Sequence, residues 1–547
     1  MKKSLIFSTF LIISITVFSQ GKPKDKLYDA FRSLDIYNAV WRELDINYVD
    51  SLDHKKLNEI AIGKMLQQLD PYTVYIPEAE QDNLKTMTTG MYGGIGAIVQ
   101  KHGDYVVVAE PKYGLPAQKN GILAGDEIIE INGVNMKGKS VPYVSDLLKG
   151  IPGTEVRLKL MRNNDKKLIE KRFLREAIHI NSIDYYGVID DSIGYIQLND
   201  FTDRSFIDFK SALTELKGKN IKKLIVDIRN NGGGLVEESV NIASLFVPTN
   251  TLIVSMKGKD LKKERKYKTP FSPIEFDIPI IFIINENTAS ASEILSGSMQ
   301  DLDRAVVVGE RSYGKGLVQS IRPVPYGGYI KLTTAKYYLP SGRCIQSIDY
   351  YANDSDRAKI IPDNLTNEFK TANGRIVRDK SGITPDVFVK EKEGNYISYY
   401  LFVDNIIFDY ATKYYFSHPQ IAAPDRFNIT DDDYADFIKF VKSRNFSYQS
   451  ESEKMLTSLK KMVEMEGYSK QTDTIFQNLN TILKPDIARD LVNFRTEIQR
   501  YIENEIVKRY YYQNGLNEYM LRYDEWIKQA KDILNDKERY NNLLQKK

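Results

Sequence analysis

The pattern of apolar and polar positions predicts three kinds of structure along the chain. Between about residues 26 and 69, apolar side chains recur every three or four positions, which indicates a small group of helices. From residue 90, short apolar runs and glycine-rich turns indicate strands, and from residue 194 strands alternate with helical patterns. That alternation favours a parallel α/β sheet. Helical spacing returns after about residue 391 and predicts an all-helical C-terminal part.

The most informative stretch runs from residue 278 to residue 319. A buried strand at 278–284 is followed by a polar break and a helix, so Ser290 stands at a strand-to-helix elbow. Free N–H groups collect where a helix begins, and they stabilise a negative charge that develops beside them. A second buried run, 305–308, leads to Lys315 between two glycines. These residues predict a serine nucleophile with a lysine base.

Two other interpretations of the same residues are open. Ser290 and Glu293 match the helix capping box, in which a serine and a glutamate three positions later satisfy each other's backbone N–H groups. Residues 309–315, GERSYGK, fit the first seven positions of a phosphate-binding P-loop. Residue 316 is a glycine where a P-loop has a magnesium-binding Ser or Thr, so an ATPase is the weaker alternative.

The distribution of histidines favours the lysine as base. The chain has four histidines, none of them near this stretch in sequence: His54, His102, His179 and His418. A nucleophilic serine without a nearby histidine needs another base, and lysine is the known alternative. The amine accepts a proton only when it is neutral, so burial must lower its pKa well below about 10.4.

Four motifs in this order and spacing resemble the catalytic core of the carboxyl-terminal processing proteases. They are TASASEI at 288–294, MQD at 299–301, VGE at 308–310 and YGKGLVQ at 313–319. This family consists of the S41 Ser/Lys peptidases with a PDZ domain, which are tail-specific proteases with a ClpP/crotonase-like α/β core. The resemblance implies that Ser290 is the nucleophile, Lys315 the general base and Gln319 the residue that orients the lysine. It gives Asp301 a supporting role.

A glycine-rich loop at 229–235, RNNGGGL, follows the buried strand 224–228. Three glycines at the carboxyl end of a strand leave backbone amides unshielded by side chains. This end of the strands is where α/β sheets have their binding sites. The family resemblance implies that an amide of Gly233 or Gly234 joins the amide of Ala291 to form an oxyanion hole.

Residues 92–99, YGGIGAIV, together with the motifs at 121–133 and 153–160, look like a bacterial PDZ domain. Glycines just before a strand can direct successive N–H groups at a carboxylate. We therefore expect Gly94, Ile95, Gly96 and Ala97 to capture a free carboxyl terminus, with strand addition holding the peptide. A PDZ domain that only gates the protease is the alternative.

Composition and charge limit the other function classes. A net charge of +3 on 547 residues is too small to indicate nucleic-acid binding. The single cysteine, Cys344, excludes an internal disulfide. Residues 1–20 contain two lysines followed by an apolar run too short to span a membrane comfortably, which is typical of a secretory signal peptide. We expect an exported protein, periplasmic or otherwise extracytoplasmic in a bacterium, with no membrane association.

The predicted organisation is a multi-domain α/β protein. Its parts are a signal peptide (1–20), a helical N-terminal segment (21–88), a PDZ domain (89–175), an S41 peptidase core (176–390) and a helical C-terminal domain (391–547). Residues 349–380 are predicted to be an irregular polar excursion on the surface.

The resemblance implies an exported serine endopeptidase with a Ser/Lys dyad. It would recognise unfolded or tail-bearing proteins and cleave near their C-terminal tails, without a cofactor, a metal or nucleic acid. A homo-oligomer is a further expectation. The alternative is a non-catalytic PDZ scaffold that binds tails and carries a degenerate protease fold.

Overall fold

The computed structural model describes residues 26–80, 89–162, 167–190, 192–260, 262–350, 359–390 and 394–545. The predicted signal peptide, residues 1–20, lies outside the described residues. Contacts divide the chain into two units, Met1–Tyr75 and Ile76–Lys547. No helix in the described ranges is both long and apolar enough to cross a membrane.

The N-terminal unit contains the two helices that the apolar spacing predicts, α1 (Lys26–Asn47) and α2 (His54–Gln67). Helix α2 begins where the Asp53 side chain accepts a hydrogen bond from Lys56 N (3.0 Å). After the helix, Asp70 Oδ1 accepts from the N–H groups of Tyr72 (2.9 Å) and Thr73 (2.8 Å), and this closes the Asp-Pro turn. A short strand, β1 (Val74–Ile76), follows.

The segment with the PDZ-like motifs is a small β structure with two helices. Its strands are β2 (Met91–Gly94), β3 (Ala97–His102), β4 (Tyr105–Pro111), β5 (Asp126–Ile131), β6 (Val134–Asn135), β7 (Glu155–Arg162), β8 (Lys167–Leu174) and β9 (Glu176–His179). Its helices are α3 (Pro116–Lys119) and α4 (Val141–Leu148). The sheet order is β3-β4-β5-β7-β8, so β3 is an edge strand, and α4 packs beside it.

The next segment is built on a six-stranded sheet of order β10-β11-β12-β15-β16-β23. Its strands are β10 (Ile183–Ile189), β11 (Ile193–Leu198), β12 (Lys223–Asp227), β15 (Ile280–Ile284), β16 (Val306–Gly309) and β23 (Val387–Phe388). Strand β10 is antiparallel to β11, and every later pair is parallel, which confirms the predicted parallel sheet. One face is covered by α5 (Ser205–Gly218), α6 (Val236–Ala243) and α7 (Ala291–Asp301).

A second, antiparallel sheet lies beside the first. Its strands include β13 (Leu252–Gly258), β14 (Glu264–Lys268), β17 (Leu317–Pro323) and β18 (Tyr329–Tyr338). Strands β17 and β18 form a hairpin directly after the loop that carries Lys315.

The prediction of an irregular excursion at 349–380 is wrong in part, and residues 351–358 of this segment lie outside the described residues. The chain there forms the short strands β19 (Ile348–Asp349), β20 (Lys359–Ile360), β21 (Glu368–Lys370) and β22 (Ile376–Arg378). Arg375 forms ion pairs with Asp303 (2.6 Å) and Asp386, both largely buried. Arg375 therefore pairs with buried carboxylates of the core, while other polar residues of the segment, such as Glu368 and Arg378, face water.

The C-terminal part is helical, as predicted. Its helices are α8 (Tyr396–Val403), α9 (Ile406–Ser417), α10 (Asp431–Ser443), α11 (Glu451–Met465), α12 (Ser469–Leu483), α13 (Ile487–Asn493), α14 (Arg495–Met520), α15 (Glu525–Asn535) and α16 (Lys537–Leu543). Helix α14 is broken at Tyr512, whose φ is +57°. Helix α15 packs on the open face of the parallel sheet.

A histidine on β3 joins the PDZ-like segment to the helical part. His102 Nε2 lies 2.9 Å from Asp409 Oδ1 of α9, and its Nδ1 lies 3.5 Å from Glu127 Oε1. The hydrogen bond to Asp409 raises the pKa of His102.

Candidate active site

Ser290 occupies a strained position between β15 and α7. It precedes the first residue of the helix, where an extended backbone is usual, yet its φ is +57° and its ψ is −115°. A residue with a side chain costs about 1–3 kcal/mol in such a region, and strain of this kind clusters at active sites. The sharp turn resembles the elbow on which α/β-hydrolases present a nucleophile.

The buried carboxylate of Glu293 joins this elbow to the loop of Lys315. Its Oε2 accepts from Ser290 N (2.8 Å) and from Lys315 N (2.8 Å). Its Oε1 accepts from Gly314 N (2.7 Å) and from the hydroxyl of Ser312. Burial raises the pKa of Glu293, and these four donors counteract that rise because they favour the ionised form. The glutamate half of the predicted capping box is therefore formed, but the same carboxylate also holds the lysine loop.

The loop of residues 309–315 does not have the geometry of a P-loop. A P-loop directs successive backbone N–H groups at a phosphate. Here the N–H groups of Gly314 and Lys315 donate to the Glu293 carboxylate, which would repel a phosphate. The nucleotide interpretation is therefore not supported.

Lys315 lies half-buried between β16 and β17, in a loop held from its other side. Gly316 N donates to Gln346 Oε1 (2.8 Å), and Ser347 N donates to Gly314 O (3.0 Å). These bonds fix the backbone on both sides of the lysine.

Gln319 lies on β17, four positions after the lysine. Its Nε2 is 3.3 Å from both Leu317 O and Thr333 Oγ1, which ties the amide to its own hairpin. The orientation of Lys315 by Gln319 stays a prediction.

The glycine-rich loop is bonded directly to the elbow. Ala289 N donates to Asn231 O (3.0 Å), and Ser292 Oγ donates to the same oxygen (2.9 Å). Gly233 has φ +97°, and a Cβ built on it would lie 2.7 Å from Ser290 Cβ and 2.8 Å from Ala291 N. Only a glycine allows this close approach, so the loop lies against Ser290.

The two glycines proposed for the oxyanion hole differ in their surroundings. Gly233 is buried, and its N–H donates to Asn231 Oδ1 (2.9 Å), so it can serve an oxyanion only if that bond breaks. Gly234 is exposed. The amide of Ala291 lies beside this loop, and the assignment of Gly233, Gly234 and Ala291 stays a prediction.

A tyrosine that the sequence did not single out also lies beside Ser290. Tyr337 lies on β18, and its side chain is near enough to that of Ser290 for the Ser290 side chain to affect the pKa of the phenol. Its backbone N donates to Gly316 O (2.8 Å), so it also borders the lysine loop. Burial raises the pKa of this phenol, and the Ser290 side chain opposes the rise. Tyr337 belongs to no motif, and the alternation of its strand gives no sign of this contact.

Asp301 lies at the end of α7, away from the reacting groups. Its Oδ1 pairs with the buried Arg343 (2.8 Å), and its Oδ2 accepts from Ser341 N (3.0 Å). These contacts hold the turn after β18, which fits a supporting role.

The predicted carboxylate loop precedes the edge strand β3. Gly94, Ile95 and Gly96 are buried, and Ala97 begins the strand. Gly96 has φ +71°, and a Cβ there would lie 2.4 Å from Leu115 Cβ, so the position requires glycine. An edge strand beside a helix has the form of a strand-addition groove. Binding of a carboxylate by these four residues stays a prediction.

Replacing Glu293 by glutamine is expected to lower kcat by about 10²-fold. Glutamine keeps the size but offers one acceptor oxygen, so two buried donors of the elbow and the lysine loop lose their partner, at about 1–3 kcal/mol each. The two loops then separate, and such misplacement costs about this factor. The measurement is kcat on a short peptide together with a thermal melt.

Glu503→Gln is the matched control for this variant. Glu503 is also a buried glutamate, which accepts from Ile429 N (2.8 Å) in the helical part, far from the elbow in sequence. We expect it to lower the melting temperature with kcat unchanged. A Glu293→Gln protein with the wild-type kcat would contradict the joining role.

Three family profiles match the chain. Residues 192–354 match Peptidase family S41, residues 93–171 match the PDZ domain, and residues 397–534 match the C-terminal helical domain of probable PDZ-proteases. In the described part of the chain, no three His, Cys, Asp or Glu side chains are grouped so as to hold a metal ion.

The relatives of this chain include proteins named as a carboxy-terminal-processing protease and as probable CtpA-like serine proteases. The carboxy-terminal-processing protease of Bartonella bacilliformis is 32% identical over 347 residues, which cover 63% of this chain and 79% of that protein. A probable CtpA-like serine protease of Staphylococcus aureus is 33% identical over 315 residues, covering 57% of this chain and 62% of that protein. A solved photosystem II D1 C-terminal processing protease is 27% identical, with a TM-score of 0.36, over 66% of this chain and 92% of that one. This chain therefore belongs to the carboxy-terminal-processing proteases of peptidase family S41, and it is a serine-type peptidase.

Proposed function

We propose that this protein is an exported endopeptidase in which Ser290 is the nucleophile and Lys315 the general base. The observation that carries the proposal is the shared acceptor Glu293 Oε2, which receives the N–H groups of both residues. Two N–H groups that donate to one oxygen are close neighbours, so the elbow and the lysine loop meet at this point. The strained backbone of Ser290 supports the same assignment.

The proposed reaction proceeds through an acyl-enzyme. The neutral Lys315 amine takes the proton of the Ser290 hydroxyl while Oγ bonds to the carbonyl carbon of the peptide. The resulting ammonium gives this proton to the leaving amine, the C–N bond breaks, and an ester remains on Ser290. The Lys315 amine, neutral again, then takes a proton from water while the water oxygen attacks the ester. Lys315 returns this proton to Ser290 Oγ as the new carboxyl terminus leaves. Each cycle consumes one peptide bond and one water.

The negative charge of the tetrahedral intermediate would be held at the start of α7. We assign this role to the amide of Ala291 together with an amide of Gly233 or Gly234. One donor of this kind is typically worth about 10²–10³ in rate.

We further propose that the PDZ domain selects substrates by their free carboxyl terminus. The tail would add as a strand to the edge of β3, and its carboxylate would bind the loop of Gly94, Ile95, Gly96 and Ala97. An extended tail suits strand addition, so unfolded proteins and proteins with flexible tails are the proposed substrates. The proposal of export rests on residues 1–20, where two lysines precede an apolar run.

Blocking the substrate's carboxyl terminus is expected to lower kcat/KM by about 10- to 100-fold. Hydrogen bonds to a charged group contribute about 1.5–3 kcal/mol, and a C-terminal amide lacks that charge. The measurement compares two long peptides of one sequence, one with a free carboxylate and one amidated, and mass spectrometry locates the cleaved bond. A short peptide that cannot reach both sites is the control and should be insensitive to amidation.

Two outcomes would overturn parts of this proposal. Equal cleavage of the free and amidated long peptides would leave the PDZ domain only a gating role. Failure of a fluorophosphonate to label Ser290 in the wild-type protein, with binding of tails intact, would identify a non-catalytic scaffold.

A further inference from the structure

Arg229 connects the catalytic sheet with the C-terminal helical domain. It follows β12, and its Nε lies 3.0 Å from both carboxylate oxygens of Asp227. Its Nη2 donates to Asp227 and also to Asp524 Oδ2 (2.6 Å), in the helical domain. Trp526 covers the guanidinium, with the ring centre 5.2 Å from Cζ. One arginine is thus shared by two carboxylates from parts of the chain about 300 residues apart.

Asp524 has two tasks in this arrangement. Its Oδ1 caps α15, because it accepts from Trp526 N (2.9 Å) and Ile527 N (3.1 Å). Its Oδ2 remains for Arg229. The position of the guanidinium is therefore tied to the start of a helix.

Helix α15 is itself firmly placed. Its apolar side packs on the parallel sheet, where Trp526, Ile527 and Ala530 are buried against Ile225 and Ile283. A helix bound along a sheet face has little freedom to move relative to the strands. Asp524 is consequently a fixed anchor for Arg229.

The residues after Arg229 lead directly to the nucleophile. Asn230 has φ +60°, and its N–H donates to Asn285 Oδ1 of the elbow (2.9 Å). Asn231 then accepts from Ala289, which precedes Ser290. The direction in which the chain leaves Arg229 thus sets where the glycine-rich loop meets Ser290.

We propose that Asp524 is a positioning residue for catalysis: through Arg229, the C-terminal helical domain braces the glycine-rich loop against the Ser290 elbow. This inference rests on the proposed role of Ser290 and Lys315. Without the charge of Asp524, Arg229 keeps its pair with Asp227, so the fold remains. The guanidinium then loses one of its two anchors, and the loop can shift. A shift of about 1 Å at reacting groups can cost about 10²-fold in rate.

Asp524→Asn tests this role, because asparagine caps a helix as well as aspartate does. We expect kcat on a short peptide to fall by about 10- to 100-fold, with KM changed by less than about twofold. Asp524→Glu restores the charge and should recover part of the loss.

Asp536→Asn is the matched control. Asp536 caps the next helix, α16, by accepting from Arg539 N (2.9 Å), and its carboxylate forms no hydrogen bond or ion pair with Arg229 in the described part of the chain. We expect this variant to keep the wild-type kcat. A purely structural role for Asp524 predicts instead that both variants lower the melting temperature alike and neither changes kcat.

Trp526 provides a direct optical signal, because the chain has only two tryptophans, Trp41 and Trp526. In a Trp41→Phe background, labelling Ser290 with a fluorophosphonate should shift the Trp526 emission. The shift should shrink in Asp524→Asn, where the loop is no longer coupled to the helix.

The proposal is overturned if Asp524→Asn has the wild-type kcat, or if labelling leaves the Trp526 emission unchanged in the Trp41→Phe protein that keeps Asp524. Failure of the dyad assignment gives a different result. In that case Ser290→Ala would remain active whatever the Asp524 variants do.

Discussion

Replacing Ser290 by alanine is expected to lower kcat by at least about 10⁴-fold. Loss of a nucleophile in serine peptidases leaves only the rate that binding and the oxyanion donors supply. The neighbouring phenol of Tyr337 cannot substitute, because burial raises its pKa and it stays protonated at ordinary pH. Alanine carries the same backbone restrictions as serine, so the elbow should keep its shape. The measurement is single-turnover cleavage of a tail-bearing peptide, followed by mass spectrometry.

Ser296→Ala is the matched control for this variant. Ser296 lies on the same helix, and its hydroxyl donates to Ser292 O (2.8 Å). We expect the control to retain the wild-type rate. The Ser290→Ala protein should still bind a free-carboxylate tail, because the PDZ loop is untouched. A Ser290→Ala protein that cleaves at the wild-type rate would refute the assignment of the nucleophile.

Replacing Lys315 by methionine is expected to lower kcat by about 10⁴-fold. Methionine keeps most of the volume and the apolar stem but removes the amine that accepts the serine proton. The Glu293 carboxylate should still hold the loop, because the bond at position 315 comes from the backbone N–H. Lys315→Arg should fail as well, because a guanidinium does not give up its proton under these conditions.

The rate at which a fluorophosphonate labels Ser290 distinguishes the role of the proposed base, Lys315, from that of the proposed nucleophile, Ser290. We expect Lys315→Met to slow labelling of Ser290 strongly, while Lys331→Met, on β18, labels at the wild-type rate. A Lys315→Met or Lys315→Arg protein with full peptidase activity would show that another group accepts the proton.

The parts of the fold that could be predicted from sequence are those that depend on residues close together along the chain. The parallel sheet followed from strands alternating with helices, and these strands are buried on both faces, so each reads as an unbroken apolar run. Ser290 and Lys315 stood out because an elbow and a glycine-flanked lysine are short patterns. Their proximity could not be read from periodicity. It depends on Glu293, which looks in sequence like an ordinary helix cap.

The contacts that sequence could not predict join residues that are far apart along the chain. Tyr337 reaches Ser290 across 47 positions, and Asp524 reaches Arg229 across 295. Neither pair has a fixed spacing or a local pattern. The prediction of a surface excursion at 349–380 failed at Arg375 for the same reason. In sequence Arg375 lies in a polar stretch, but in the fold it pairs with Asp303 and Asp386.

The packing of α15 on the parallel sheet has a consequence for the order of events during synthesis. The strands that carry Ile225, Ile283 and Val308 leave the ribosome more than 200 residues before the helix that covers them. Until that helix arrives, one side of the peptidase sheet is an uncovered apolar surface, and Arg229 lacks one of its two partners. A nascent chain therefore contains Ser290 and Lys315, the proposed catalytic residues, well before it contains the helix that covers the sheet behind them. A newly made molecule is thus expected to become an effective protease only once its final helices have docked.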